Sequence, residues 1–217
     1  MKITTKSTTQ PAPTTRQRIL EAASSVFAAD GFGGARVDEI ARRAGVNKAL
    51  LYYHVGNKQA LYTAVLLRNF DRVEAALADA TASGLSAGDR LSGVIAAISR
   101  VLNTYPDHPR IVLREIAAGG NNLQKEVLER MVGTLAMVAE LLAEGVRNRQ
   151  FRPTDPVMTH LALVGSSLIL NAIGPLRDRA AEIGLDIPFP DDDTDTGAFL
   201  TDLILHGIAT PRTGETT

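Results

Sequence analysis

The stretch that most constrains how this chain can fold is VDEIARRAGVNKALLYYHVGNK, from Val37 to Lys58. Apolar residues recur at helical spacing over residues 37–44, and two carboxylates lie in the first turn, where they suit the positive end of a helix dipole. Gly45 follows at once, and glycine accepts the left-handed backbone that ends a helix sharply. Asn47 is a good N-cap for a second helix, in which Leu51 faces inward. The stretch therefore predicts two short helices joined by a tight turn.

The outer face of the predicted second helix carries hydrogen-bond donors and aromatic rings. Lys48, Tyr52, Tyr53 and His54 share this face, and Lys58 falls in the first turn of the next helix. Hydroxyl, amine and imidazole groups donate to phosphate oxygens, and aromatic edges can lie against thymine methyl groups. A helix, a glycine turn and a helix also occur in ordinary bundles, so this pattern alone leaves DNA binding and a plain bundle open.

Residues 15–65 resemble the DNA-binding domain of the tetracycline-repressor (TetR) family. The resemblance implies that Tyr52, His54 and Lys58 hold DNA phosphates, whereas Tyr53 and residues 47–50 face base edges. So many matches in register over about fifty residues form a far stronger signal than a single short motif. The matching residues are Ile19, Ala22, Ala23, Phe27, Gly31, Phe32, Ile40, Ala41, Ala44, Gly45, Val46, Leu51, Tyr52, Tyr53, His54, Val55, Lys58 and Leu61.

Three features depart from the family pattern. Val55 stands where phenylalanine is commoner, and we expect this smaller side chain still to be buried. Ala35 and Arg36 occupy the entry to the first helix of the motif, where a serine or threonine cap is usual; the cap is weaker, but Arg36 becomes an extra candidate phosphate contact. Ala49 and Leu50 make the reading face apolar, which favours contacts with methyl groups. The predicted DNA-binding residues are Arg36, Val37, Asn47, Lys48, Ala49, Leu50, Tyr52, Tyr53, His54 and Lys58.

The charge of the chain is divided unevenly between two regions, which we call the head (residues 1–62) and the body (residues 63–217). The head holds nine Lys or Arg against four acids, and the body holds 14 against 20, although the whole chain has a formal charge of only −1. A basic head on an acidic body turns the head toward a polyanion. Cysteine is absent and the first thirteen residues lack an apolar core, so we expect no disulfides, no signal peptide and a cytoplasmic protein.

Helical periodicity without strand-like alternation predicts an all-α fold of about nine helices. We predict a flexible arm over residues 1–13, a three-helix DNA-binding domain over 14–62, a larger helical domain for effector binding and dimerisation over 63–210, and a flexible tail over 211–217. Thr14 and Gln17 match a capping box at the start of the first helix. The pattern from Asn57 to a break near Ser83 predicts a long helix that joins head and body and could act as a lever.

Residues 157–176 form an uncharged run of twenty residues, a length that could span a bilayer. Five polar residues interrupt the run, so we favour a core or interface helix. The resemblance implies that the last two helices, over 156–180 and 196–209, pack against a second copy as a four-helix bundle. Two heads placed about 34–36 Å apart would read successive major grooves of a roughly palindromic operator. The interface candidates are Leu161, Val164, Leu168, Phe199 and Leu203.

The resemblance also implies a small apolar or amphipathic effector inside the body. Polar residues within otherwise apolar helices are candidates to line its pocket, although each could equally satisfy local backbone groups. They are Ser99, Asn103, Tyr105, Arg114, Glu115, His160, Ser167 and Asn171.

We find no enzyme or cofactor motif, and the four histidines are too scattered for a metal site. The sequence therefore favours a homodimeric transcriptional repressor that a ligand releases from DNA. A transcriptional activator, a TetR-like scaffold that binds protein rather than DNA and, remotely, a helical hydrolase using Ser166 with His160 remain alternatives.

Overall fold

A computed structural model describes residues 12–80, 84–190 and 194–209, and within them the chain is all-helical, as predicted. Ten helical segments follow one another, and a single residue, Ile173, separates α8 from α9. Most of the predicted arm, the break near Ser83, the acidic run at 191–193 and the predicted tail lie outside the described residues. The helices are α1 (Thr15–Gly34), α2 (Val37–Ala44), α3 (Lys48–Val55), α4 (Lys58–Ala80), α5 (Ala87–Thr104), α6 (Asp107–Ala117), α7 (Lys125–Arg147), α8 (Pro156–Ala172), α9 (Gly174–Glu182) and α10 (Thr196–Ile208).

The head packs α1 against α2, α3 and the first half of α4. The capping box predicted at Thr14 is confirmed, because its hydroxyl accepts from the Gln17 N–H and the Gln17 side chain accepts from the Thr14 N–H. Phe27, Phe32 and Tyr62 form an aromatic cluster, with the Phe27 and Tyr62 rings edge to face at 4.8 Å. Gly31 has a φ of 70°, which kinks α1 one turn before it ends.

The core of the head continues into the body without a break. Val65 and Leu66 of α4 belong to the same cluster of buried residues as the head side chains, and so do Ile111 of α6 and Val127 of α7. The predicted boundary after Tyr62 therefore falls inside a shared core. Helix α4 runs through that boundary and so connects the head to the body.

The body is built around α5, whose Leu91, Val94 and Ile95 are completely buried. Helices α4, α7, α8 and α10 surround it. Among the described residues the one element of β pairing is an isolated bridge between Phe151 and Ala209, which ties the turn after α7 to the end of α10.

The helical stretch Pro156–Glu182, which joins α8 and α9, is long and apolar enough by composition to cross a membrane. Within the chain, α8 packs against α5, α6, α7 and α10. Its outer side leaves large apolar side chains exposed, among them Met158, Leu161 and Ile169. The helix thus has one face in the core and one apolar face without a partner inside a single chain.

Candidate DNA interface and effector cavity

The turn between α2 and α3 has the geometry that its sequence predicts. Gly45 ends α2 with a φ of 66°, in the left-handed region. The Asn47 side chain caps α3 by accepting from the Leu50 N–H at 2.8 Å, and Leu51 is completely buried beneath the helix. Arg36 makes no side-chain cap on α2, consistent with the weak entry expected there. These local contacts fix the angle between α2 and α3.

The outer face of α3 is open to solvent. Tyr53 is 84% exposed, Tyr52 40% and Leu50 38%, and Asn47, Lys48, Ala49 and Arg36 are exposed as well. The Tyr53 and His54 rings meet edge to face at 5.4 Å. His54, Lys58 and Val37 are half-buried, and Val55 is only partly buried against the core of the head. The predicted DNA-binding residues thus lie along α3, at the entry to α2 and at the start of α4.

Lys58 stands at the N-terminus of α4, where free backbone N–H groups and a cation together favour a phosphate. Its ammonium group donates to the Gly33 carbonyl at 3.3 Å and lies 4.9 Å from the centre of the Phe32 ring. The Asn57 side chain caps this helix by accepting from the Ala60 N–H at 2.8 Å. The Asn57 cap was not among the predicted site residues, although an asparagine directly before an apolar helix is a recognisable signal.

Carboxylates of α2 neutralise several cations of the head. Lys48 pairs with Asp38 at 3.0 Å, and this hydrogen bond raises the pKa of Lys48. Glu39 accepts from both Arg42 and Arg43, and these bonds lower its pKa to about 2. These pairs were not predicted from the sequence. They mean that Lys48 must exchange an internal partner before it can contact DNA.

An apolar cavity of about 180 Å³ lies in the body, enclosed by α4, α5, α6, α7 and α8. Of the effector residues predicted from sequence, the structure brings His160 and Glu115 to its wall. The lining residues are Leu66, Phe70, Val73, Ile98, Leu102, His108, Val112, Glu115, Ile116, Leu123, Val127, Met131, Thr134, His160, Leu161, Val164, Gly165 and Leu168.

The other predicted effector residues lie elsewhere. The Ser167 hydroxyl and the Asn171 amide donate to carbonyls one turn back on α8, which is how such residues satisfy themselves inside helices. Ser99 and Asn103 lie together in a groove between α5 and the start of α10. Tyr105 is stacked under the Arg72 guanidinium, 3.4 Å from the ring centre. Arg114 faces the head rather than the cavity, and donates to the Ala29 carbonyl at 2.8 Å.

Most polar groups on the cavity wall have partners. His108 bonds to the Asn69 amide at 2.8 Å, and burial, helped by the charge of Arg72, lowers the pKa of His108 to about 4. Glu115 accepts from the Tyr62 hydroxyl and the Asn122 N–H, each at 2.8 Å. Burial and the hydrogen bond to Glu115 raise the pKa of Tyr62. The Glu115 carboxylate is therefore already satisfied by donors.

His160 differs from these groups. Its Nδ1 is buried and has no hydrogen-bond partner among the described residues, and burial lowers the pKa of the ring. The imidazole therefore stays neutral at pH 7 and keeps one ring nitrogen as a donor and the other as an acceptor. It is an unused polar group in an apolar wall.

Helix α6 connects this cavity to the head. At its start Asp107 accepts from the Ser25 hydroxyl at 2.8 Å, and near its end Arg114 bonds to the Ala29 carbonyl, both on α1. The loop after α6 accepts from the Gln59 amide of α4 at 2.9 Å through the Asn122 carbonyl. These contacts join residues 63 to 85 positions apart in the chain, so no local sequence signal predicts them.

The predicted interface residues divide between two surfaces. Leu161, Phe199 and Leu203 are exposed. Leu168 is buried and Val164 is half-buried, and both face the cavity because they lie on the inner side of α8. The outer face of α8 instead presents Met158 and Ile169, which were not among the predicted residues.

A capped, exposed helix held across a glycine turn, on a basic head joined to a helical body, defines the class of helix-turn-helix DNA-binding proteins. Comparison with known families makes the assignment specific. Residues 19–65 match the description "Bacterial regulatory proteins, tetR family", and residues 84–168 match "Tetracyclin repressor-like, C-terminal domain". The chain belongs to the tetR family.

Individual relatives agree with this assignment. The chain is 25% identical over 206 residues to the HTH-type transcriptional repressor NicS of Pseudomonas putida, covering 92% of this chain and 94% of NicS. It is 31% identical over 141 residues to the transcriptional regulator RutR of Escherichia coli, covering 65% and 66% of the two chains. The solved structure of the ketosteroid transcriptional regulator KstR2 of Mycobacterium tuberculosis has the same fold, with a TM-score of 0.72 at 20% identity over 93% of this chain and 98% of that one.

These comparisons identify the chain as a DNA-binding transcription regulator rather than an enzyme. Within the described residues, His, Asp and Glu side chains form no group of three or more that could hold a metal ion.

Proposed function

We propose that the protein is a homodimeric repressor that leaves a palindromic operator when a small ligand enters the body. This proposal rests on one observation: the cavity and the head are contacted by the same two helices, α4 and α6. Helices α4 and α6 form part of the cavity wall. The same two helices contact the head, because Tyr62 of α4 donates to Glu115 of α6 and Arg114 of α6 donates to the Ala29 carbonyl of α1. A ligand that moves either helix must also move the reading face.

The dimer is supported by the unpartnered apolar side chains of α8 and α10. Met158, Leu161 and Ile169 recur at helical spacing on α8, and Phe199 and Leu203 lie one turn apart on α10. Exposed apolar groups in such numbers mark an association surface. A two-fold pairing there presents two heads to two half-sites, which extends the DNA sequence that one short helix can read.

Repression by release from DNA needs only a modest coupling between the two sites. A difference of about 1–3 kcal/mol in ligand affinity between the free and DNA-bound forms changes operator affinity 5- to 150-fold. The named repressor NicS is one relative that favours this sense of regulation. Transcription from the bound promoter in a purified system distinguishes it from the alternative, activation, because added protein should lower transcript yield.

The DNA interface is tested by measuring operator affinity against salt concentration. We expect Lys58→Ala and Tyr52→Ala to weaken binding to all sequences, because both remove phosphate contacts, and only Lys58→Ala, which removes a cation, to flatten the salt slope. Lys48→Ala and Tyr53→Ala should instead change the preference between sites. Arg147→Ala, which removes an exposed cation of α7 paired with Glu140, is the matched control and should leave both quantities unchanged. Wild-type binding without any salt dependence would overturn the proposal.

The release mechanism needs a measurement of geometry. The chain has no cysteine, so Asp30→Cys on the exposed end of α1 gives a single labelling site in each head. The distance between two such probes in the dimer should change when a ligand dissociates the DNA. Dissociation without any change in that distance would contradict the lever, and a monomer at high concentration would contradict the dimer.

A further inference from the structure

We infer that the cavity binds a neutral, mostly apolar molecule of about one aromatic ring, held by a hydroxyl group that hydrogen bonds to His160. The proposed function supplies the regulatory meaning of this site, but binding itself can be tested separately. Three properties of the wall carry the inference: its volume, its charge and its single unpaired polar side chain.

The volume limits the size of the ligand. An engineered cavity of about 150 Å³ lined by aliphatic and aromatic side chains stays dry and binds benzene. The cavity here, at about 180 Å³ and lined mainly by Leu, Val, Ile, Phe and Met, is slightly larger. It accommodates one ring with a short substituent. Ile116 and Leu161, 56% and 58% exposed, lie at its open side, and the proposed dimer would cover Leu161 there.

The charges of the wall exclude ionic ligands. No Lys or Arg of the described residues lines the cavity, so an anion would lose its hydration without gaining a counter-ion. The carboxylate of Glu115 adds repulsion against an anion. Tyr62 and Asn122 are neutral donors, so the charge of Glu115 remains, but they already occupy its oxygens and an ammonium group would have to displace one of them to bind there. A neutral molecule meets neither penalty.

The polar groups of the wall select a hydroxyl. His108 bonds to Asn69, and the Thr134 hydroxyl donates to the Arg130 carbonyl, which leaves His160 as the wall imidazole without a partner among the described residues. A hydroxyl can both donate and accept, so it suits either tautomer of a neutral imidazole. The buried Nδ1 is closed to a water-sized probe, so a rotation of the imidazole must bring it to the ligand hydroxyl. That bond then removes the cost of an unsatisfied buried polar group, and the ligand gains specificity as well as affinity.

The test uses four compounds on one skeleton: ethylbenzene, 4-ethylphenol, 4-ethylbenzoate and 4-ethylbenzylamine. Their binding to the full-length protein without DNA is measured by calorimetry at pH 7.5. We expect 4-ethylphenol to bind about five- to tenfold more tightly than ethylbenzene, the usual worth of one neutral hydrogen bond. The carboxylate and the ammonium compound should bind at least about tenfold more weakly than the phenol.

Variants connect this preference to the site. His160→Leu should bring 4-ethylphenol to within about twofold of ethylbenzene while ethylbenzene affinity stays unchanged, since only the hydrogen bond is lost. Val164→Phe, which fills the cavity, should abolish binding of both. Asn103→Ala, a polar body residue outside the cavity, is the control and should change nothing. Tighter binding of the benzoate or the amine, or a His160→Leu protein that keeps the phenol preference, would overturn the inference.

The failure of this inference is distinguishable from the failure of the proposed function. If no compound binds while the protein still binds its operator, the ligand assignment is wrong and the DNA-binding role stands. If 4-ethylphenol binds through His160 but does not weaken operator binding, the ligand site stands and the proposed release mechanism fails.

Discussion

The head and the body of this protein differ in how closely their cores are packed. In the head, Ile19, Phe27, Ile40 and Leu51 are completely buried, and the Phe27 and Tyr62 rings pack edge to face. The body surrounds an apolar cavity, and the His160 Nδ1 and the Ser99 hydroxyl are buried without a hydrogen-bond partner among the described residues. A tightly packed region holds one geometry, whereas a region with a cavity can exchange one packing for another. We therefore expect the head to be more rigid than the body.

The difference in packing between head and body is tested most directly by truncating one buried leucine in each region. Leu51→Ala in the head should lower the free energy of unfolding by about 3 kcal/mol, because it leaves a new void in a closed core. Leu168→Ala, which enlarges a cavity that already exists, should cost about half as much, since that side chain has fewer atoms to lose contact with. Denaturant titrations at equal protein concentration measure both. Equal costs would mean that the two cores are equally tight.

Buried His108 makes the stability of the body depend on pH. The pKa of His108 is about 4 in the folded protein and about 6.5 in the unfolded chain. Between these two pH values the unfolded chain binds more protons, so the protein loses stability as the pH falls from about 6.5 to about 4. We expect the loss to reach about 3 kcal/mol by pH 4. His108→Gln should remove this part of the pH dependence, whereas His206→Gln, an exposed histidine on α10, should retain it. Parallel curves for wild type and His108→Gln would contradict the assignment.

Two glycines on α7 test how close the packing of the body is away from the cavity. A Cβ at Gly145 would lie 2.0 Å from the buried ring of Phe151, so Gly145→Ala should destabilise the protein by about 2 kcal/mol. Gly133 has open space around it, and Gly133→Ala should stabilise by up to about 1 kcal/mol through helix propensity. Thermal unfolding compares the two. A neutral Gly145→Ala would show that the body yields at this contact as well.

The smallest expected effect concerns the charges of the reading face. Asp38→Asn frees Lys48 from its ion pair and removes a negative charge next to the DNA, so operator affinity should rise by about three- to tenfold at low salt. Asp186→Asn, an exposed residue of the body, is the control of equal charge change. If both substitutions act equally, net charge rather than the Lys48 pair sets the affinity.

Local features of the site could be predicted from sequence because their causes are local. The capping box at Thr14, the left-handed Gly45 and the Asn47 cap each depend on residues within four positions of one another. Helical periodicity likewise predicted the long α4. Periodicity overlooked the break at Ile173, because an apolar pattern continues across it.

The predicted effector residues show what a sequence pattern cannot determine. Polarity inside an apolar helix selected Ser167 and Asn171, but a short polar side chain can bond to its own helix and so reveals nothing about a pocket. His160 could be separated from them only when its surroundings were known. The cavity itself depends on five helices from distant parts of the chain.

The helices, their caps and the basic outer face of α3 could be predicted from sequence, because dihedral preference, capping and periodicity act between near neighbours. Tertiary structure alone decided which side of α8 faces the cavity, that Glu115 holds Tyr62, and that Gly145 makes room for Phe151. Those contacts result from packing, in which the partner of each group is set by the path of the whole chain.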